Sequence, residues 1–212
     1  MKDLYFFLAH IDDFEISCIG YLFRNHKHYN NIYIIIATDW EPKREIWLEN
    51  LDLICSNLNI SQKVKYINLG YEPRLLMTNI DNLKNDFYEQ VDFNLKFDIV
   101  THDKEDCHTD HIACSLAGTG LYKYTNKYVT IYSPSSKHFK ANYWIGLPQE
   151  IYNIKKACID KYDIRHDKSY TKLGYYIQSE KHYNIGQAYY IENFVHQEFE
   201  YYETYNIHKL VE

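Results

Sequence analysis

The sequence predicts an α/β protein with a Rossmann-like, mainly parallel sheet and helices on both faces. Short apolar runs alternate along the chain with longer segments whose apolar residues recur at helical spacing, and this alternation is typical of parallel sheets. The clearest run, Ile-Tyr-Ile-Ile-Ile-Ala-Thr at 32–38, reads as a strand buried on both faces. No repeat or low-complexity linker interrupts the 212 residues. We therefore expect one domain over residues 1–212, in which the less regular part at 134–212 completes the pocket.

The predicted elements follow one another in that alternating order. Strands rich in β-branched and aromatic residues are expected at 4–8, 32–38, 64–69, 97–101 and 128–132. Helices with one apolar face are expected at 16–25, 44–58, 80–95, 112–122 and 148–162. Residues 185–191 have a strand-like pattern, and the Tyr-rich tail is interpreted as packing surface or as the contact of a homo-oligomer.

Composition excludes several classes of protein. The formal net charge is −6 and the pI is near 6.0, which disfavours a nucleic-acid binder or a binder of anionic membranes. The five cysteines are odd in number and form no Cys-x-x-Cys pair, and the start leads directly into a predicted strand rather than a signal peptide. The longest apolar runs are shorter than the about 20 residues that span a membrane. We therefore expect a reduced, cytoplasmic protein with no membrane span.

Polar clusters follow two of the predicted strands. His10, Asp12 and Asp13 come directly after the strand at 4–8, and a second cluster at 106–111 follows the strand at 97–101. In open α/β sheets, ligands bind outside the carboxyl ends of the strands. Imidazole nitrogens and carboxylate oxygens suit zinc or a neighbouring divalent metal, and a catalytic zinc keeps one position open for an activated water. The two clusters together predict a metal centre at this edge of the sheet.

Spacing alone leaves the metal ligands open. His10 shares a side with Asp12 if the strand continues, and with Asp13 if the chain turns helical. His108 and His111 share a face only in a helix. A single histidine-carboxylate pair in a loop is also common as a solvated turn or a helix cap. The metal interpretation therefore depends on finding two such clusters at matching strand ends.

These residues also carry a family resemblance. Residues 9–15, Ala-His-Ile-Asp-Asp-Phe-Glu, resemble the Ala-His-Pro-Asp-Asp-x-Glu signature of the PIG-L/LmbE-like zinc-dependent N-deacetylases, and 108–111, His-Thr-Asp-His, resemble that family's His-Pro-Asp-His. The order of the motifs, their separation and the strands before them also fit, over about residues 3–120. The resemblance implies an LmbE-like fold, a Zn²⁺ cofactor and hydrolysis of an N-acyl group, usually acetyl. The implied substrate is a small-molecule N-acylated amino sugar, sugar nucleotide or glycoconjugate, and the products are acetate and a free amine.

The resemblance also implies a role for each matching residue. The implied metal ligands are His10, Asp13 and His111. Asp12 matches the general base that deprotonates the zinc-bound water. His108 matches the histidine that stabilises the oxyanion, and Asp110 matches the carboxylate that orients and charges that histidine.

Departures from the family pattern bear on the substrate rather than on the metal. Ile11 replaces the motif proline, residues 19–20 read Ile-Gly in place of Gly-Gly, and residues 39–41 replace a Gly-rich loop. The last two departures lie near the expected sugar pocket.

Three further residues are candidates for substrate binding, each with a plainer interpretation beside it. Arg44 could hold a substrate hydroxyl or phosphate, or lie on an ordinary helix surface. Asp106 could meet sugar hydroxyls or solvate its loop. Trp40 could stack on a sugar ring or anchor a half-buried loop.

Two other classes of function compete with the deacetylase. A catalytically silent sugar-binding or scaffold relative with the same fold is the alternative, although every catalytic position carries the required residue type. A nucleotide-binding Rossmann enzyme is disfavoured, because no Gly-x-Gly-x-x-Gly follows the first strand.

Overall fold

A seven-stranded mixed sheet forms the centre of the computed structural model, which describes residues 2–39, 41–166 and 201–210. The strands are β1 (Lys2–Leu8), β2 (Tyr29–Thr38), β3 (Val64–Tyr71), β4 (Phe97–His102), β5 (Lys127–Ile131), β6 (Tyr143–Leu147) and β7 (Tyr201–Leu210). The helices are α1 (Asp13–Ser17), α2 (Ile19–Asn25), α3 (Glu41–Leu58), α4 (Ile80–Glu89), α5 (Thr109–Thr119) and α6 (Gln149–His166). Short 3₁₀ turns occupy His26–His28 and Met77–Asn79.

The sheet has the strand order β3-β2-β1-β4-β5-β7-β6. Strands β1 to β5 pair in parallel, whereas β7 pairs antiparallel with both β5 and β6. Strand β6 therefore runs in the same direction as β5. The predicted α/β class with a mainly parallel sheet is confirmed.

Alternate residues of the central strands pack against helices on opposite faces. Leu4, Phe6 and Leu8 share one apolar cluster with residues of α1, α2, α3 and α6. Tyr5 and Phe7 belong to a second cluster with residues of α4 and α5. All five side chains are at most 1% exposed, which is why β1 reads as a continuous apolar run. Among the described residues, the helices lack the length and hydropathy of a transmembrane segment.

The two strands that were not predicted lie at the antiparallel edge of the sheet. In β7, the side chains of Glu203 and Tyr205, two positions apart, are both buried, but Glu203 carries a charge. That charge hides the apolar alternation by which a strand is recognised. The strand-like pattern at 185–191 lies outside the described residues. Helix α4 ends at Glu89, earlier than the predicted 95, and the side chain of Asp92 accepts the Asn94 N–H in the turn that follows.

The predicted helix at 16–25 is interrupted at Cys18 by a buried ion pair. In a continuous helix, the Gly20 N–H would donate to the Ile16 carbonyl. Instead, Lys155 Nζ donates to that carbonyl at 2.7 Å, and the Gly20 N–H donates to Glu203 Oε2 at 2.7 Å. Lys155 and Glu203 are joined at 2.5 Å, with side chains only 1% exposed. This Lys155–Glu203 pair replaces one helical hydrogen bond and separates α1 from α2.

The close contact between Glu203 and the backbone of residue 20 requires a glycine at that position. A Cβ at that position would lie 2.7 Å from Glu203 Oε2 and 2.8 Å from Leu147 Cδ2. Ile19 is also buried, in the apolar cluster beneath the sheet. The Ile19-Gly20 departure therefore lies in the core, and the expectation that it borders the sugar pocket is wrong.

Candidate metal centre

The two motifs meet because β1 and β4 are adjacent parallel strands. Phe7 of β1 is in register with Thr101 of β4, so the segments after both strands leave the sheet side by side. The Ala9 N–H donates to Nε2 of the buried His102 at 3.0 Å and ties the two strand ends together. Helix α1 then begins at Asp13, and α5 begins at Thr109. Both polar clusters are thus placed at helix starts.

Candidate ligand atoms of three side chains converge in this space. His10 Nδ1 lies 3.4 Å from Asp13 Oδ2, and His111 Nε2 lies 3.4 Å from Asp13 Oδ1. His111 Nε2 is 3.3 Å from His10 Nδ1. Asp13 Oδ2 also accepts the backbone N–H of His10 at 2.7 Å, which fixes this carboxylate. His10 therefore pairs with Asp13, as expected if the chain turns helical after the strand.

Each of the two imidazoles is oriented by a carboxylate on its other nitrogen. His10 Nε2 lies 3.2 Å from Asp110 Oδ2, and His111 Nδ1 lies 3.1 Å from Asp106 Oδ2. Such carboxylate–histidine pairs fix the tautomer and the ring orientation of metal-binding histidines. They leave His10 Nδ1 and His111 Nε2 as the nitrogens that face the common space.

The electrostatics of the cluster call for positive charge. Burial opposes protonation of His10, but its hydrogen bonds to Asp110 and Asp13 raise its pKa to about 10. Burial likewise opposes protonation of His111, yet the charge of Asp13 and the bond to Asp106 raise its pKa to about 9. The buried carboxylates thus favour positive charge at the two rings. A bound divalent cation would supply the same compensation without protons.

Asp12 is paired with a buried lysine that the sequence did not single out. Lys43 Nζ lies 2.5 Å from Asp12 Oδ2, and the lysine is 2% exposed. Burial would raise the pKa of the Asp12 carboxyl, but the positive charge of Lys43 outweighs that effect and lowers it. Asp12 is therefore an ionised carboxylate beside the converging candidate ligand atoms.

The helical spacing of apolar residues could have predicted that Lys43 is buried. It stands three residues before Ile46 and four before Trp47, on the stripe of α3 that is buried. The predicted helix begins at residue 44, which leaves Lys43 outside it.

His108 caps helix α5 through its ring. Its Nδ1 accepts the Asp110 N–H at 3.2 Å, so in the neutral ring the proton resides on Nε2. Burial and the neighbouring His111 and His10 lower the pKa of His108, which favours that neutral form. His108 borders the cavity as a hydrogen-bond donor.

The carboxylate of Asp110 contacts His10 rather than the ring of His108. Its Oδ2 also accepts the Arg74 N–H at 2.6 Å, and its Oδ1 accepts the Leu76 N–H at 3.3 Å. The implied role of orienting His108 therefore falls to the backbone of Asp110, while its side chain orients His10.

Asp106 is buried, at 7% exposed, and its contacts are internal. It accepts hydrogen bonds from the hydroxyls of Ser133, Ser135 and Ser136 and from the His108 N–H at 2.8 Å. These bonds and the one to His111 lower the pKa of Asp106 against the opposing effect of burial. The expectation that Asp106 meets sugar hydroxyls does not agree with this position.

The other two substrate-binding candidates have different outcomes. Arg44 pairs with Asp39, and both side chains are partly exposed, at 42% and 28%. Arg44 does not line the cavity, whereas the neighbouring Lys43 does; the plainer interpretation of Arg44 as helix surface therefore agrees with its position. Trp40 lies outside the described residues.

His102 is a second residue beside the site that the sequence did not single out. It is fully buried, and its ring stacks on that of His111 with centroids 3.9 Å apart. Its Nε2 lies 3.2 Å from Asp13 Oδ2 but already accepts the Ala9 N–H. Burial and the nearby His111 lower its pKa to about 4. His102 is thus an uncharged side chain that packs against the ring of His111.

A cavity of about 660 Å³ opens over these groups. Its floor is formed by His10, Asp12, Asp13, His108 and His111, and its walls include Lys43, Glu72, Arg74, Pro134 and Ser135. A cavity of this size accommodates a small-molecule ligand. Pro134 and Ser135, at the start of the 134–212 part, therefore contribute to the pocket.

The architecture is an α/β fold with a mainly parallel sheet, and the candidate site lies at the carboxyl ends of its strands β1 and β4. No protein-family model and no curated protein matches the sequence. Among solved structures, the N,N'-diacetylchitobiose deacetylase of Pyrococcus horikoshii is similar, with 14% identity, a TM-score of 0.62, and 97% of this chain and 83% of that one covered. The deacetylase of the A40926 pseudoaglycone has 10% identity, a TM-score of 0.66, and coverage of 100% and 98%. The 4-carboxy-2-hydroxymuconate hydratase of Pseudomonas putida has 11% identity, a TM-score of 0.64, and coverage of 100% and 99%.

Proposed function

We propose that this protein is a zinc-dependent N-deacetylase that removes an N-acyl group from an amino sugar or sugar conjugate. The single observation that carries the proposal is the mutual proximity of ligand atoms from His10, Asp13 and His111, beside an ionised Asp12 that also lines the cavity. The resemblance of both sequence motifs to the LmbE-like deacetylases supports it, as does the fold shared with the diacetylchitobiose deacetylase and the A40926 pseudoaglycone deacetylase.

The spacing of the donor atoms fits zinc. The pairs His10 Nδ1–His111 Nε2, His10 Nδ1–Asp13 Oδ2 and His111 Nε2–Asp13 Oδ1 are each separated by 3.3–3.4 Å. Two ligand atoms at that separation that subtend a tetrahedral angle would each lie about 2.1 Å from an ion between them. Zinc binds histidine nitrogen and carboxylate oxygen at about 2.0–2.2 Å. Three protein ligands leave a fourth position, as catalytic zinc sites do. When bound there, the ion would act as a Lewis acid that lowers the pKa of a water molecule and polarises a carbonyl.

The residues of the chain then have separate roles in acyl transfer to water. Asp12, ionised and oriented by Lys43, accepts the proton of the water whose oxygen attacks the acyl carbon. His108 donates its Nε2–H to the acyl oxygen as negative charge develops there. The proton taken up by Asp12 passes to the amide nitrogen as the C–N bond breaks. The products are a carboxylic acid, which ionises, and the free amine.

Replacement of the proposed general base is expected to separate chemistry from metal binding. Asp12→Asn should lower kcat for acetate release about 10²–10⁴-fold, because the amide cannot accept the proton of the attacking water. Zinc content should remain stoichiometric, since Asp12 is not one of the three ligands. Acetate release and metal analysis of the purified variant measure the two effects.

A companion variant controls for the charge left behind. Asp12→Asn leaves Lys43 buried beside a neutral amide, so Asp12→Asn with Lys43→Met restores the charge balance. The double variant should fold as stably as the wild type and stay inactive. Acetate release at the wild-type rate in either variant would contradict the role of Asp12.

Loss of an orienting carboxylate is expected to weaken the metal site without removing a ligand. Asp106→Asn should reduce zinc affinity about 10- to 100-fold, because Asp106 fixes the ring of His111. Competition with a chelator measures the affinity. The matched control is Asp103→Asn: Asp103 accepts hydrogen bonds from the Thr130 hydroxyl and from the Glu105 N–H in the same loop, but it contacts none of the proposed metal-ligand atoms. Equal affinities for the two variants would mean that Asp106 does not orient the site.

Hydration of an unsaturated acid is a second candidate function. The Pseudomonas putida neighbour is a hydratase, and its fold matches this chain over almost its whole length. The two reactions differ in their products, because deacetylation releases acetate whereas hydration adds water and releases nothing. A panel that contains both N-acetylated amino sugars and unsaturated dicarboxylic acids decides between them. Ligand binding without turnover of any member would instead indicate a catalytically silent relative.

A further inference from the structure

Arg74 has an unfavourable backbone conformation at the mouth of the cavity. Its φ is 73°, in the left-handed region that residues with a Cβ avoid. The other non-glycine residue with positive φ in the described ranges is Asn59, with φ of 56°, and asparagine tolerates this region better than arginine does. A strained residue beside a functional site is a reason to ask what its side chain does.

The backbone of Arg74 is held by the metal centre itself. Its N–H donates to Asp110 Oδ2 at 2.6 Å, and the Leu76 N–H donates to the other oxygen of the same carboxylate. That carboxylate also contacts His10. A glycine would make the same backbone hydrogen bond without strain. The hydrogen bond therefore does not explain why an arginine stands at this position.

The side chain of Arg74 lines the cavity together with His10 and His108. It is exposed, and its guanidinium makes no ion pair or hydrogen bond with any residue of the described ranges. Lys43, the other Lys or Arg among the described residues that line the cavity, is paired with Asp12, and the neighbouring Arg44 is paired with Asp39. Glu72 lines the same wall but is not within ion-pair distance of Arg74. As far as the described part of the chain is concerned, the cavity thus presents one guanidinium that is available to a ligand.

We propose that Arg74 is a specificity-determining residue that binds an anionic group, a carboxylate or a phosphate, on the substrate. The planar guanidinium forms paired, charge-assisted hydrogen bonds with both of these anions. The inference rests on the proposed function, because the anionic group would belong to the same N-acylated sugar. The acyl group of that sugar would lie near His10 and His108, which line the cavity together with Arg74. It narrows that substrate to an acidic amino sugar or its phosphate ester.

The experiment compares kcat/KM for acetate release from four probes by the zinc-loaded protein. The probes are N-acetylglucosamine, its 1-phosphate, its 6-phosphate and N-acetylmuramic acid. The wild type should prefer at least one anionic probe to the neutral sugar by about 10-fold or more. The two phosphates and the carboxylate of the fourth probe distinguish the source and position of the charge.

Two variants of Arg74 separate recognition from strain. Arg74→Gly should lower the ratio of anionic to neutral kcat/KM about 10- to 100-fold, while its Tm stays equal or rises by up to about 3 °C as the strain is relieved. Arg74→Lys should keep part of the preference. The matched control, Asn59→Gly, changes the other left-handed position, which lies at the end of α3 outside this cavity. It should leave the ratio unchanged.

Three results would overturn the inference. The first is a wild-type preference near one for all three anionic probes. The second is an Arg74→Gly variant that loses the same factor on every probe and has a lower Tm, which would make Arg74 structural. The third concerns the proposed function: if no probe is turned over, that function fails. Calorimetric binding of the same four compounds then decides the inference, and equal affinity for neutral and anionic probes would overturn it.

Discussion

The Asp13→Asn variant is expected to lose both its zinc and its acetate release. Asp13 is the charged member of the three proposed ligands and the residue that contacts both His10 and His111. Burial would raise the pKa of its carboxyl, but the surrounding imidazoles hold it well below its usual value, so the ligand is anionic. A neutral amide binds zinc poorly and leaves a cluster with less negative charge. We expect kcat/KM to fall at least about 10³-fold, since the ion contributes several kcal/mol of transition-state stabilisation.

The measurement is acetate release together with metal analysis, and the contrast with Asp12→Asn makes it specific. Asp12→Asn should keep zinc and lose rate, whereas Asp13→Asn should lose both. Asp39→Asn serves as the control, because Asp39 follows β2 at the same edge of the sheet but pairs with Arg44 outside the cavity. Stoichiometric zinc in Asp13→Asn, with wild-type turnover, would mean that the ligands have been misassigned.

The largest effect on stability is expected for Lys155→Met. This substitution leaves Glu203 buried without its counter-charge and leaves the Ile16 carbonyl without the lysine donor. Breaking a buried ion pair by removing one partner costs about 3–5 kcal/mol. For a chain of this length we expect Tm to fall by about 6–20 °C in a thermal unfolding experiment.

The adjacent lysine provides a matched control. Lys156 pairs with Asp160 one turn along α6, and its side chain is 42% exposed. Lys156→Met should change the free energy of unfolding by less than about 0.5 kcal/mol. The double variant Lys155→Met with Glu203→Gln should be less destabilised than the sum of its single changes, because the two residues are coupled. Equal Tm values for Lys155→Met and Lys156→Met would refute the structural role of the Lys155–Glu203 pair.

Much of the site could be predicted from local sequence, because its residues directly follow buried strands. The apolar runs before His10 and before the second cluster locate both strand ends, and parallel strands bring such ends to one edge. The choice between Asp12 and Asp13 could not be made from spacing, since it depends on the helix beginning at Asp13. The resemblance supplied an assignment, and the contacts of Asp13 with His10 and His111 support it.

What could not be predicted depends on residues distant in the chain. Asp106 is held by serines 27 to 30 positions away, so no local pattern distinguishes an orienting carboxylate from one that meets substrate. The break between α1 and α2 depends on Lys155 and Glu203, which are 48 residues apart. Lys43 is different, because its burial follows from a local pattern, the helical spacing that separates it from Ile46 and Trp47.

The most direct test of the zinc-dependent mechanism is zinc titration into metal-free protein while acetate release from N-acetylated amino sugars is followed. We predict no release without metal, a rise in rate that saturates at one zinc per chain, and no rise for Asp13→Asn. Acetate release that is unchanged by removal of the metal, or no release from any acylated amino sugar at full zinc occupancy, would contradict the proposal of a zinc-dependent deacetylase.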